Sequence, residues 1–395
     1  MRYVRSPIHN SQKEQSMQRI SVLNGLRGLA IIGVIFHHSF FSYIRYGLSD
    51  SAPLSPFLII ESSGWLGVNL FFFLSGFVLY LPYAAGSRSF VGWESIRKFY
   101  IHRAKRLLPL YYATTLILLI FFTGYQLNEW QFYQNFLDHL FVTFVFKKES
   151  FLPASNWVLW SLGVEIWFSI LFPFLVYAIH KIGWRKTLII VLFISLAVRL
   201  EGRWYLPVIG DRHAVLNFIS DSVLGRLDEF MLGMLGAYLY VGRKLVLMPV
   251  AQLFIGVGLV SAAMLLWALW YRGNYPYSIA GLFNIPLDIG FLLIVNALLI
   301  GCSPISRLIS LWPLQMSGLM CYSLYLWHGV IVSKYQPSAY SIPTYLAFLA
   351  LTYCLSWLTY RYIEFGAHQD WRNLLPSRNR NVTETNVVDA PKTTL

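Results

Sequence analysis

Ten apolar segments, each near the length needed to cross a lipid bilayer, constrain this chain more than any other feature. A transmembrane helix requires about 20 predominantly apolar residues. The segments lie at about 22–44, 62–85, 107–124, 157–180, 186–200, 223–241, 247–271, 279–300, 313–335 and 343–363. Only 12% of the 395 residues are charged, which is roughly half the fraction in a soluble domain. The sequence therefore predicts an all-α, polytopic membrane protein with about ten transmembrane helices in one bundle.

The positions of the charged residues predict how these segments are threaded through the membrane. Most of the 31 lysines and arginines fall in loops that share one side if the N-terminus is cytoplasmic, as the positive-inside rule requires. Because the charges lie between apolar segments, the net charge of +13 does not indicate a nucleic-acid-binding domain. We expect cytoplasmic segments at 1–19 and 367–395, the latter disordered, around a membrane domain at 20–366.

The first apolar segment contains two costly side chains, Arg27 and His38. They are eleven residues apart, close to three helical turns, so both lie on one helix face about 16 Å apart along the axis. Ionisable groups inside a bilayer are candidates for a functional site. The structural alternative is that Arg27 reaches the cytoplasmic surface and His38 forms an ordinary interhelical hydrogen bond.

Other predicted spans also carry ionisable residues, at a depth similar to that of His38. Counted from the outer ends of their spans, all lie roughly 9–14 Å below the outer surface. The set comprises His38, Glu165, Asp228, Glu229, Asp288 and His328. A shared depth predicts a polar chamber in the outer half of the bundle. The alternative is structural ion pairing, for example of Arg226 with Asp228 or Glu229.

The residue types in this chamber favour acid–base chemistry. A buried imidazole can act as a general base toward a hydroxyl, especially if a carboxylate orients it. Because their depths match, we expect Glu165 to orient His38. No histidine or cysteine cluster has metal-ligand spacing, and no nucleotide-binding fingerprint is present.

Two arginines that precede the third span suggest a binding site for phosphate groups. Arg103 and Arg106 are three residues apart and share a helix face. Guanidinium groups bind phosphate oxygens through paired, charge-assisted hydrogen bonds. The alternative is ordinary positive charge beside the membrane.

Taken together and in this order, the motifs resemble the membrane acyltransferase 3 family, whose members include O-acetyltransferases of lipopolysaccharide O-antigen, exopolysaccharide and nodulation factor. The resemblance covers about residues 20–366. It rests on Arg27 with His38, GVNLFFFLSGF at 67–77, Arg103 with Arg106, SLGVE at 161–165, SLYLWH at 323–328, and the closing Tyr362-Ile-Glu364.

The chain departs from the family pattern at three places. Asn69 stands where an aspartate is common, which removes a charge from the second span. Ile166 stands where a second glutamate is frequent, so Glu165 is the single carboxylate of that motif. A second histidine, His37, precedes the matching one, and the eleven-residue spacing from Arg27 selects His38.

The resemblance implies transfer of an acyl group, usually acetyl, from cytoplasmic acyl-CoA to a hydroxyl of an extracytoplasmic glycan or glycolipid. Arg103 and Arg106 would bind the CoA phosphates, and the thioester would pass Arg27. His38 would deprotonate the acceptor hydroxyl or carry the acyl group, and Glu165 would orient or charge-balance His38. Residues that would support the site or contact substrate are Asn69, Ser75, Ser161, Asp228, Glu229 and His328.

These roles predict acyl-CoA, a glycan or glycolipid acceptor and the lipid bilayer as partners, with no metal and no nucleic acid. The predicted location is the cytoplasmic membrane of a bacterium, and the oligomeric state stays open. A transporter of glycan or lipid intermediates is the main alternative, since it also needs many spans and buried charges. A non-catalytic sensor is a third. Binding of acetyl-CoA separates the enzyme from both.

Overall fold

The computed structural model of the chain is helical. It describes residues 7–39, 55–122, 129–205, 216–245, 247–272, 277–334 and 342–364, none of which lies in a β-strand. The helices are α1 Pro7–Ser39, α2 Pro56–Ser62, α3 Leu66–Ala84, α4 Gly92–Phe122, α5 Trp130–Leu140, α6 Leu159–Ile182, α7 Trp184–Tyr205, α8 Leu227–Gly242, α9 Pro249–Tyr271, α10 Asn284–Ile300, α11 Ser303–Ile309, α12 Trp312–Leu319, α13 Cys321–Lys334 and α14 Ile342–Thr359. Short 3₁₀ turns span Phe144–Phe146 and Tyr277–Leu282, and a π-helical turn, Tyr360–Glu364, follows α14. The predicted all-α class is confirmed. The predicted tail at 367–395 lies outside the described residues.

Among the described residues, five helices are long and apolar enough to cross a membrane. They are Leu66–Ala84, Gly92–Phe121, Leu159–Ile182, Pro249–Trp270 and Ile279–Ile300. The count of ten spans therefore stays a prediction. Two of the predicted spans contain helices shorter than a bilayer requires, since α8 has 16 residues and α13 has 14.

The span predicted at 313–335 is broken in the structure. Helix α12 ends at Leu319 and α13 begins at Cys321, with Met320 between them. The hydroxyl of Tyr322, one residue into α13, donates to the carbonyl of Leu107 on α4 at 2.5 Å. The break therefore places the first turn of α13 against α4, where the sequence predicted one continuous helix.

Glycines bring the helix that carries Arg27 and His38 into backbone contact with α12. A Cβ added to Gly28 of α1 would collide with the carbonyl of Leu314, and one added to Gly318 of α12 would collide with the carbonyl of Asn24. Helices in membranes approach this closely where small residues remove the side chains between them. Gly76 of α3 and Gly233 of α8 form a second such crossing, against the carbonyls of Phe230 and Phe73.

Aromatic side chains fill the centre of the bundle and also cover its outside. Phe168 of α6 stacks on Phe230 of α8 with ring centroids 3.8 Å apart, and both are fully buried. On the outside, Phe174, Phe193 and Phe254 are 64%, 72% and 73% exposed. Large apolar side chains exposed on long helices fit a surface that faces lipid rather than water.

Candidate active site

A pocket opens between α1, α3, α4, α6 and α13. It encloses about 780 Å³ of space, part of which is open to the surroundings. Its apolar wall consists of Val68, Phe71, Phe72, Val78, Leu79, Leu107 and Leu162. Its polar groups belong to Arg27, Ser75, Arg103, Arg106, Ser161, Glu165, Cys321, Tyr322 and Tyr325. Six of the residues proposed from the sequence therefore line one pocket, although they come from four helices.

Glu165 is held on the wall of this pocket by a buried ion pair. Its carboxylate accepts a hydrogen bond from the Arg103 guanidinium at 2.8 Å and one from the Ser75 hydroxyl at 3.0 Å. The Nε of Arg103 donates to the Ser169 hydroxyl at 3.0 Å, one turn further along α6. The Arg103 side chain is 7% exposed and that of Glu165 is 25% exposed. Both charges are thus fixed by hydrogen bonds on two sides.

The sequence predicted that Glu165 would contact His38, whereas in the structure Glu165 contacts Arg103 and Ser75. His38 packs against the edge of Trp157, with ring centroids 4.5 Å apart. Trp157 precedes the first residue of α6, Leu159, and Glu165 lies six residues, or about 9 Å, further along that helix. The two groups therefore lie at different levels of the bundle. The prediction failed because equal distances from assumed span ends do not give equal depths when those ends are uncertain by several residues.

The predicted pair of phosphate-binding arginines is divided between two environments. Arg103 is 6% exposed and committed to Glu165, whereas Arg106 is exposed and lines the pocket. Arg106 has no hydrogen bond or ion pair within the described part of the chain. The same holds for Arg27, which lines the pocket from α1. Of the three arginines that line this pocket, Arg27 and Arg106 are therefore the two that the described residues leave available to an anionic ligand.

A pair of imidazoles lies beyond the pocket. His38 Nδ1 is 3.0 Å from Nε2 of His328 on α13, and the two ring planes are within 12° of parallel with centroids 5.2 Å apart, as expected for rings joined edge to edge by this contact. The other nitrogen of His328, Nδ1, is 3.1 Å from the carbonyl oxygen of Leu324. His328 is fully buried, whereas His38 is partly exposed. The sequence placed these two histidines at one depth, and the structure brings them together.

Tyr325 connects the imidazole pair to the pocket. Its hydroxyl accepts a hydrogen bond from Ser161 at 2.6 Å, and its ring centroid is 5.3 Å from that of His328. Ser161 and Glu165 are four residues apart on one face of α6, and Trp157 lies in the turn that precedes this helix. Together these three residues run from the imidazoles to the ion pair. The site therefore has two ends, a cationic pocket and a histidine pair, joined by Ser161 and Tyr325.

The remaining predicted residues belong to a separate buried network between α7, α8 and α10. Arg226 binds Glu229 at 2.6 Å and Asp221 at 2.5 Å, while Asp228 binds Arg199 of α7 at 2.5 Å. Asn69 and Asn284 donate to Glu229 at 3.0 and 2.8 Å. The ion-pairing alternative is thus correct for Glu229. Asp228 has a partner that the sequence did not predict, because Arg199 lies next to the last residue of the span predicted at 186–200 and counts there as a residue of the outer surface.

The network yields a prediction about stability, since two of its aspartates differ in their partners. Asp228 is paired with Arg199, whereas both carboxylate oxygens of fully buried Asp288 lack a hydrogen-bond partner among the described residues. Asp228→Asn should lower the free energy of unfolding by on the order of 2–3 kcal/mol, because it leaves a buried guanidinium without its counter-charge. Asp288→Asn should leave the melting temperature unchanged or raise it. Thermal unfolding of the two purified variants compares them, and equal losses would contradict the assignment.

Several residues of the site were missed from the sequence. Tyr325 precedes His328 by three residues and therefore shares its helix face. That spacing could have identified Tyr325 as a site residue. The sequence offers no comparable indication for Cys321 and Tyr322, because the apolar pattern does not reveal the helix break at Met320 beside them. Among the described residues, no group of three or more histidine, cysteine, aspartate or glutamate side chains could hold a metal ion.

Comparison with known proteins gives a consistent result. A family model described as an acyltransferase domain matches residues 20–361. The O-acetyltransferase OatA of Staphylococcus aureus, in strains NCTC 8325 and COL, is 26% identical over 397 residues, covering 89% of this chain and 58% of the relative. SACOL0978 of strain COL, provisionally named an O-acetyltransferase, is 26% identical over 393 residues with the same coverage. The chain thus spans little more than half the length of these relatives. No solved structure gives a significant match.

Proposed function

This chain belongs to the acyltransferase 3 family, and from that premise we propose that it transfers an acetyl group from acetyl-CoA to a hydroxyl of an extracytoplasmic glycan or glycolipid. One observation carries the proposal. Arg27 and His38, on the same face of α1, stand at the two ends of the site, one in a cationic pocket and the other in a histidine pair.

The pocket is suited to the donor. Within the described residues, the guanidinium groups of Arg27 and Arg106 are engaged in no hydrogen bond or ion pair, which suits them to the phosphates of CoA. The apolar wall formed by residues such as Phe71 and Leu79 suits the extended, weakly polar pantetheine arm. Arg103, which the sequence assigned to the CoA phosphates, instead pairs with Glu165 and thereby fixes the shape of the pocket wall.

The histidine pair is suited to the proton transfer that the reaction needs. Acetyl-CoA, when bound, supplies an activated thioester carbonyl. His38 takes the proton of the acceptor hydroxyl while that oxygen forms the new ester bond and the thioester C–S bond breaks. The electron pair of that bond leaves with the sulfur, and His38 then gives the proton to the CoA thiolate, which becomes the free thiol. The proton lost by the acceptor hydroxyl thus ends on the CoA sulfur, and one C–O bond is formed for the C–S bond that is broken.

The direction of transfer follows from the charges around the site. Helix α4, which contributes Arg103 and Arg106 to the pocket, also carries Arg97, Lys98 and Lys105. Such a concentration of positive charge is typical of the cytoplasmic side. We therefore infer that the pocket faces the cytoplasm, where acetyl-CoA is made, and that His38 faces the acceptor on the opposite side.

The direct test is an assay of the purified protein in lipid nanodiscs. With acetyl-labelled acetyl-CoA and a glycan acceptor, we expect release of CoA and transfer of the label to the glycan. If the protein binds no acetyl-CoA and releases no CoA, the acetyltransferase proposal is wrong and the transporter alternative is favoured.

Arg106→Ala should weaken CoA binding about tenfold, because a charge-assisted contact to phosphate is lost. Binding to the wild type should also weaken with added salt. Protection of Cys321 from alkylation measures occupancy, since this thiol lines the pocket. The exposed thiol is first removed by Cys354→Ser.

Arg97→Ala is the matched control, because Arg97 lies on the same helix but pairs with Glu94 at 3.5 Å outside the pocket. It should leave CoA binding near that of the wild type. Equal weakening by both substitutions would reduce the role of Arg106 to general positive charge.

A further inference from the structure

We propose that His328 is a positioning residue that fixes the tautomer of His38 and leaves His38 Nε2 free to act as the base. This inference rests on the proposed function and deepens it. In sites where histidine is the base, a carboxylate commonly holds the Nδ1 proton. Here the nearest predicted carboxylate, Glu165, is occupied by Arg103. An imidazole takes its place.

The hydrogen bonds of His328 determine which of its nitrogens carries a proton. Nδ1 lies 3.1 Å from the carbonyl oxygen of Leu324, which can only accept. Nδ1 of His328 therefore carries the hydrogen and donates it. In a neutral imidazole the other nitrogen, Nε2, has a lone pair and is an acceptor. Full burial of His328 favours this neutral form.

The acceptor role of His328 Nε2 in turn determines which nitrogen of His38 carries the hydrogen. Its Nδ1 lies 3.0 Å from the acceptor Nε2 of His328, so it must donate the hydrogen. Neutral His38 then has its lone pair on Nε2. Trp157 packs edge-on against the ring at 4.5 Å, and this contact holds the ring in place beside His328. His38 thus presents a base that is set in both tautomer and orientation.

The arrangement also affects the charged state. When His38 Nε2 takes the proton of the acceptor hydroxyl, the ring becomes an imidazolium. Its Nδ1–H then donates to His328 Nε2 as a charge-assisted bond, which is stronger than the neutral one. No second proton needs to move, and His38 delivers the proton held on Nε2 to the leaving CoA thiolate. His328 acts on the reaction only through His38.

The test compares variants that differ in whether they can accept the hydrogen bond from His38 Nδ1. His328→Gln supplies a carbonyl oxygen near the position of the original Nε2, whereas His328→Leu supplies no acceptor. We expect His328→Leu to lower kcat about 100-fold while the KM for acetyl-CoA stays within about twofold. We expect His328→Gln to keep at least about a tenth of the wild-type kcat, because the acceptor is restored.

A second measurement separates positioning from a structural role. In a His38→Ala background, adding His328→Leu should not reduce the residual rate further, because a residue that acts through another loses its effect with it. His328→Asn, whose amide is too short to reach His38, should behave as His328→Leu does and keeps a polar group in the buried site if the leucine variant does not fold.

Three results would overturn the proposal. They are wild-type kcat in His328→Leu, equal losses in the glutamine and leucine variants, and a further loss of rate in the double variant. Each of these leaves acetyl transfer by the wild type intact. A wild-type protein that transfers no acetyl group would instead overturn the proposed function, and this inference with it.

Discussion

His38→Ala is expected to reduce acetyl transfer by on the order of 10³-fold or more, because it removes the group that takes the hydroxyl proton. CoA affinity should stay near that of the wild type, since His38 is not among the residues that line the pocket. Steady-state turnover and CoA binding on the same preparation measure the two effects separately. The melting temperature shows that the variant is folded.

His37→Ala is the control for this prediction. His37 is the adjacent imidazole on the same helix, with its ring centroid 5.3 Å from that of His38, and it is 6% exposed. It projects about 100° away around the helix. Its loss should therefore affect stability more than turnover. If both alanine variants lost turnover equally, the choice of His38 as the base would be wrong.

Much of the fold was predictable because the bilayer imposes a length on apolar segments. Helices α3, α6 and α9 lie close to the spans predicted at 62–85, 157–180 and 247–271. Helix ends were less predictable. Helix α1 begins at Pro7, in a polar stretch that was predicted to precede the membrane domain, because the polar residues of that stretch are compatible with a helix although they lack an apolar face.

The sequence at 129–146, with aromatic residues on one face, predicts a single amphipathic helix at the membrane surface, and this prediction shows the same limit. The structure has a helix at Trp130–Leu140 and a separate 3₁₀ turn at Phe144–Phe146. Between them, the backbone amide of Thr143 donates to the carbonyl of Asp138, and its side chain donates to the Asp138 carboxylate. Side-chain bonds of this kind compete with helical ones, and the pattern of apolar residues does not report them.

The pairing of side chains across helices was the least predictable part of the site. Spacing along α1 correctly placed Arg27 and His38 on one face, because that relation is local. The contact between His38 and His328 joins residues 290 positions apart. That between Arg103 and Glu165 joins residues 62 positions apart. Such contacts depend on helix tilt and rotation, which packing decides, so depth counted along the chain could not assign Glu165 its partner.

The ion pair between Arg103 and Glu165 leads to the second large effect. Glu165→Gln should lower the free energy of unfolding by on the order of 1–3 kcal/mol, because it leaves the buried Arg103 without its counter-charge. Turnover should also fall, on the order of 10-fold or more, since the pocket wall that the pair holds in place positions the donor. Arg103→Gln should produce similar losses from the other side of the pair.

A double-mutant cycle decides whether the carboxylate acts through Arg103 or on His38. If the pair is the functional unit, combining Glu165→Gln with Arg103→Gln should cost less than the sum of the single losses, both in thermal stability and in CoA binding. A carboxylate that acted on His38 would instead lower kcat alone, and its loss would add to that of Arg103. The geometry favours the first result, because the Glu165 carboxylate accepts from Arg103 and Ser75 while Trp157, eight residues earlier, contacts His38. Additive losses confined to kcat would show that the ion pair is incidental and would restore the partnership that the sequence first predicted.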